Sequence, residues 1–146
     1  MNEDRIPLII KAWETYQNLS KGFGENAWKV RTAGIGFWGA IIAYWYKNND
    51  FTVYYISFLT LLMFFILEAG MRQLQQTYIQ KSIELEKTIN DYLVGDVIQL
   101  PSDGISTNIS TPSLRDYFKL LRLKRWQFWL PYLLLVISTF ILMEIR

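Results

Sequence analysis

The sequence predicts an all-α integral membrane protein: three transmembrane helices, an amphipathic N-terminal helix, and a long second helix projecting into the cytoplasm. Three observations carry this. First, the 146-residue chain holds three windows without a charge, Thr32–Tyr46, Phe51–Leu67 and Trp126–Met143. A helix rises about 1.5 Å per residue and must cross about 30 Å of hydrocarbon, so it wants roughly 20 residues, and all three windows are slightly short. Second, of the 15 Lys and Arg, all but Lys47 and Arg146 precede the first window or lie between the second and third. Cytoplasmic flanks are the basic ones, which puts the N-terminus inside and the C-terminus outside. Third, Trp28 and Trp126 flank two span starts, and Tyr44, Trp45, Tyr46, Tyr54 and Tyr55 cluster near one turn, as interfacial belts do.

The elements follow in chain order within a single membrane domain over 1–146. Residues 6–20 predict a short amphipathic helix, with Ile6, Ile9, Ile10, Trp13 and Tyr16 on one face and Lys11, Glu14, Thr15 and Asn18 on the other. Lys21–Asn26, KGFGEN, is expected to break it. The first span is placed at 30–47, lengthened by snorkelling of Lys29, Arg31 and Lys47. It is expected to act as an uncleaved anchor, because the acidic start and the short Ile6–Ile10 run do not make a cleavable signal. Lys47-Asn48-Asn49-Asp50 is a short polar turn, so the first two spans form an antiparallel hairpin.

The second span, 51–69, has no stop signal at its end. One helix is expected from about Phe51 to Leu93, since Ala69, Met71, Gln73–Gln76 and Glu84–Lys87 mostly favour helix. Leu67, Met71, Leu74, Tyr78, Leu85 and Tyr92 follow a heptad seam, with Lys81 and Thr88 at two of its positions. The seam fits packing within one subunit or between subunits. Residues 70–125 make the cytoplasmic helices and loop. Gly95–Thr111 reads as a long polar loop in which Val97, Ile98, Leu100 and Ile105 are candidates for a short strand pair. Ser110-Thr111-Pro112 is a helix start, leading through Ser113–Arg125 into the third span at 126–143, where Pro131 should introduce a bend.

Composition narrows the function. The chain has no His and no Cys, which removes thiolate chemistry, disulfides and the commonest general base and transition-metal ligand. No triad, phosphate loop or metal-ligand spacing is present, so no catalytic residue, metal or cofactor is expected, and the chain is not read as an enzyme. Gly34–Gly39 matches G-x-G-x-x-G, but no strand precedes it and the window is uncharged. The better reading is close helix packing on a face of Gly36, Gly39, Ala40 and Ala43. On the second span Tyr54, Ser57, Leu61, Phe64 and Glu68 share a face that is a candidate pore lining with a hydrophobic gate. The plainer alternative is that Ser57 and Thr60 bond backbone or neighbouring helices. Arg115, Lys119, Arg122, Lys124 and Arg125 form a basic run. It serves either as a topological stop against anionic lipid or as a binding surface for a nucleotide or oligonucleotide.

Two hairpinned spans running into a long cytoplasmic helix resemble the small membrane effectors of bacterial antiphage defence. The stretch Met71–Leu93, MRQLQQTYIQKSIELEKTINDYL, and the loop leading to Thr111-Pro112 carry the resemblance. SLATT-type effectors have this plan, as does, with an extra C-terminal span, the effector of the Hailong system. The resemblance implies a homo-oligomeric channel of the bacterial inner membrane, taken as a tetramer. It would depolarise the membrane on a nucleotide or single-stranded DNA oligomer signal, with a nucleotidyltransferase as partner. The alternative from the same sequence is a non-conducting scaffold or accessory subunit that docks a cytoplasmic partner.

Overall fold

The computed structural model describes residues 6–48, 52–95, 104–107 and 125–145. Three helices account for nearly all of them: α1, Ile6–Asn48; α2, Thr52–Val94; and α3, Trp126–Ile145. The fold is all-helical among the described residues. Both α2 and α3 contain a stretch long and apolar enough to cross a membrane.

The expected break at Lys21–Asn26 does not occur, because α1 continues through it for 43 residues. Two glycines in a helix interior cost about 1 kcal/mol each relative to alanine, and that local signal suggested a break. Tertiary contacts override it. Phe23 stacks on Tyr78 with ring centroids 5.6 Å apart. Gly24 is buried, and a Cβ placed on it would come within 2.6 Å of Gln75 Nε2. The near atoms belong to the movable end of the Gln75 side chain. In the same unit, α2 runs as expected and stops one residue past Leu93. Gly95 closes it in the left-handed region, at φ 102°, donating its N–H to Tyr92 O at 3.0 Å.

The chain forms two compact units, one of residues 1–25 and 72–112, the other of 26–71 and 113–146. In the first, Ile9, Tyr16, Tyr78 and Leu85 form the core, with Ala12, Trp13, Leu19, Phe23 and Ile89 packed around them. The heptad seam is therefore used within one chain at Tyr78 and Leu85. Leu67, its first member, lies in the second unit and is 47% exposed. Gly104–Thr107 is the described part of the long loop, and Gly104 takes φ 64°. It has no strand pairing. Val97, Ile98 and Leu100, the Ser110-Thr111-Pro112 start and the 113–124 stretch lie outside the described residues.

In the second unit three apolar clusters link the helices. Trp45, Val53 and Tyr54 pack with Leu142 and Met143, while Leu61, Phe64 and Tyr132 pack with Val30, Trp38 and Val136. Ala69 and Phe128 pack with Phe65 and Trp129. Gly34, rather than the expected glycine face, provides the close approach here. A Cβ on it would lie 2.9 Å from Cβ and Cγ of Phe64. Outward, the unit exposes Phe37, Ile56, Leu59, Leu62, Leu134 and Phe140, each about half or more exposed. Exposed large apolar side chains thus occur on all three helices.

A single pairing rule operates within each unit. Gln17 Nε2 donates to Ser82 Oγ, and Gly24 meets Gln75, in the first. In the second, Arg31 binds Glu68 and Trp45 packs on Tyr54. Within each unit the two α1 members are a heptad multiple apart and their α2 partners descend by the same step, as in antiparallel coiled-coil packing.

Candidate functional site

Glu68 is completely buried in the second unit and Arg31 nearly so. Glu68 occupies the helical position just past the uncharged stretch of α2, and Arg31 the position just before that of α1. The antiparallel hairpin brings these two ends together. Arg31 Nη2 lies 2.7 Å from Glu68 Oε1, and Arg31 Nε donates to Glu68 Oε2 at 3.0 Å. This is the two-pronged geometry that a planar guanidinium makes with a carboxylate. Arg31 Nη2 also donates to the main-chain oxygen of Phe128 at 3.2 Å, and Tyr132 Oη donates to Glu68 Oε2 at 2.8 Å. One clasp therefore ties all three helices. Pro131 removes one backbone bond from this turn of α3, and the nearby Phe128 carbonyl is the group that accepts from Arg31. The guanidinium carbon also sits 5.3 Å from the Trp28 ring centroid.

The clasp places two opposite charges out of water with their hydrogen-bonding directions largely used. As a pair they carry no net charge, the form in which ionisable groups are tolerated at membrane depth. Removing either partner takes this counter-charge away from the other while it stays buried. A second polar link, Trp38 Nε1 donating to Thr139 Oγ1 at 3.0 Å, joins α1 to α3 within the same unit.

The five residues expected on a pore face, Tyr54, Ser57, Leu61, Phe64 and Glu68, do share one face, and all five are buried inside the single chain. Ser57 Oγ donates to Tyr54 O at 2.8 Å, the plainer of the two expectations for that hydroxyl. The small-residue face is placed differently. Gly36, Ala40 and Ala43 are exposed, Gly39 is half-buried, and no atom outside the local helix backbone lies within 4 Å of a Cβ built on Gly36 or Gly39. Of the basic run, Arg125 is exposed at the start of α3, and Arg115, Lys119, Arg122 and Lys124 lie outside the described residues.

Sequence reasoning identified Glu68 but missed its partner, reading Arg31 as a snorkelling flank. The usable signal was positional: Arg31 lies 17 residues before the end of α1 and Glu68 lies 16 residues after the start of α2, nearly the same distance from the turn. Among the described residues no cluster of acidic side chains is arranged to hold a metal ion. Comparison of the chain with protein-family models, curated proteins and solved structures gives no match.

Proposed function

We propose that this chain is a membrane effector of bacterial antiphage defence, a homo-oligomeric pore of the inner membrane. All three helices cross the bilayer, with the N-terminus inside and the C-terminus outside. The observation that carries the reading is the Arg31–Glu68–Tyr132 clasp. It buries the polar groups of α2 within each subunit and gives the membrane unit a closed condition with a defined way to open. When the clasp breaks, the face of Tyr54, Ser57, Leu61, Phe64 and Glu68 is freed to line a shared axis, with Leu61 and Phe64 as the hydrophobic constriction. Three helices cannot enclose an aqueous path alone, so conduction requires several subunits, and a tetramer is the assembly proposed. The outward Gly36–Ala43 face supports close approach between subunits. The trigger is a nucleotide or single-stranded DNA oligomer made by a partner nucleotidyltransferase and read on the cytoplasmic side. The Arg115–Arg125 run would recur there as a positively charged ring in an oligomer.

A second reading, a non-conducting scaffold that docks a cytoplasmic partner, is favoured by one observation. The polar face of α2 is already used within the chain, leaving an apolar exterior. Membrane potential separates the two. Cells expressing the chain alone, or with its genomic neighbour and the trigger, are monitored with a potential-sensitive dye, and the purified protein is tested for conductance in planar bilayers. Depolarisation with conductance is expected. A protein that neither depolarises cells nor conducts under any of these conditions is the scaffold.

A further inference from the structure

We propose that Tyr16, Tyr78 and Lys81 form a phosphate-binding site in the first unit, filled in this state by the chain's own Ser106–Thr107 segment. Three side-chain donors from two helices converge on this short stretch of main chain. Tyr16 Oη donates to Ser106 O at 2.9 Å, Lys81 Nζ to the same oxygen at 2.6 Å, and Tyr78 Oη to Thr107 O at 3.1 Å. The ammonium also lies 5.7 Å from the Tyr16 ring centroid. The site is built rather than incidental. Tyr16 and Tyr78 are 3% and 6% exposed, their rings are 6.0 Å apart, and Phe23 stacks on Tyr78.

The segment that fills the site is held through main-chain oxygens alone in these three contacts. Its Ile105 side chain is 44% exposed and Gly104 provides a left-handed turn beside it. A neutral carbonyl is a weaker acceptor than an anionic phosphoryl oxygen, above all for an ammonium donor. A phosphate group presents several such oxygens on one centre, so it can accept from Lys81 and both phenols together. A phosphate-bearing ligand therefore competes with the strap and releases it. Because Ser106 O bridges Tyr16 on α1 and Lys81 on α2, release removes a tie between the two helices.

This inference deepens the ligand-gated reading above and rests on it for its biological purpose, but its test does not use conduction. The cysteine-free chain accepts a single Ile105→Cys substitution for a spin label. The purified full chain in neutral detergent is titrated with inorganic pyrophosphate, and binding to the unlabelled protein is measured in parallel by calorimetry. Nanodiscs of phosphatidylcholine with and without phosphatidylglycerol distinguish a lipid headgroup from a free phosphate. Saturable binding with a more mobile label is expected. Lys81→Met should weaken it about tenfold or more, and Tyr16→Phe or Tyr78→Phe by a smaller factor. Label release in phosphatidylglycerol nanodiscs without pyrophosphate, suppressed by Lys81→Met, assigns the site to a headgroup. Failure of both ligands to bind, or binding unaffected by Lys81→Met and both phenylalanine variants, overturns the proposal. A chain that binds pyrophosphate and never conducts removes the pore reading and leaves this site standing.

Discussion

Arg31→Met tests the clasp most directly. The substitution leaves Glu68 with none of its surface exposed and Tyr132 as the remaining donor of the three clasp contacts to its carboxylate. Breaking a buried pair in this way costs about 3–5 kcal/mol, most of it the penalty for the abandoned charge. Glu68→Met should fall toward the lower end of that range, because the guanidinium keeps the Phe128 carbonyl and the Trp28 face. The double variant removes both charges and fills the space with apolar atoms, an exchange that is often neutral. Its stability should recover most of what either single change loses. For a chain of this size, the single losses correspond to a melting-temperature drop on the order of 10 °C. Thermal unfolding of the three variants and the parent in detergent, followed by far-ultraviolet circular dichroism, closes the cycle. Losses in the double variant that equal the sum of the single losses would refute the assigned coupling. So would a melting temperature unchanged in Arg31→Met.

Two further predictions concern glycines. Gly34→Ala should destabilise by about 1–3 kcal/mol, because its Cβ meets the fixed root of Phe64 at 2.9 Å, whereas Gly24→Ala should be near neutral because it meets the movable end of Gln75 at 2.6 Å. Equal melting temperatures for the two variants would show that the closeness at Gly34 is not a packing constraint. Gly39→Leu should leave the melting temperature of the chain within a few degrees, since no atom lies within 4 Å of its Cβ, while abolishing the oligomer. Light scattering in detergent checks it, and an unchanged assembly size would remove the Gly36–Ala43 face from the interface.

The long second helix was legible because no proline interrupts the sequence between Phe51 and Gly95, and the single glycine there, Gly70, stands alone among residues that mostly favour helix. The first helix was not. Gly22 and Gly24 carry a local preference against helix, while the contacts that overrule it, Phe23 with Tyr78 and Gly24 with Gln75, come from residues about fifty positions away in sequence. The shared face of Tyr54, Ser57, Leu61, Phe64 and Glu68 was correctly grouped from helical periodicity. Periodicity says which residues lie together but not what they face, and within the chain they face its own core. The glycine pattern likewise groups residues without saying what they meet, and no atom outside the local helix backbone meets a Cβ on Gly36 or Gly39. Gly34 makes the close contact, although Gly36 and Gly39 stand in the more recognisable small-residue pattern. The clasp was half visible: each charge was evident at the edge of an uncharged window, but pairing them required the hairpin register.

The clasp has a consequence for how the protein is made. Its members arrive in the order Arg31, Glu68, Tyr132, because that is their order along the chain. The salt bridge can close as soon as α1 and α2 have been synthesised, while translation of the rest of the chain is still under way. Until α2 emerges, Arg31 lacks Glu68 as its counter-charge. Once Glu68 neutralises it, the hairpin presents Glu68 Oε2 and Arg31 Nη2 as a ready-made polar socket. The Tyr132 hydroxyl and Phe128 carbonyl then dock into that socket as the last strokes of assembly. A nascent chain stalled between α2 and α3 would thus already hold the Arg31–Glu68 pair, waiting for Tyr132 and Phe128.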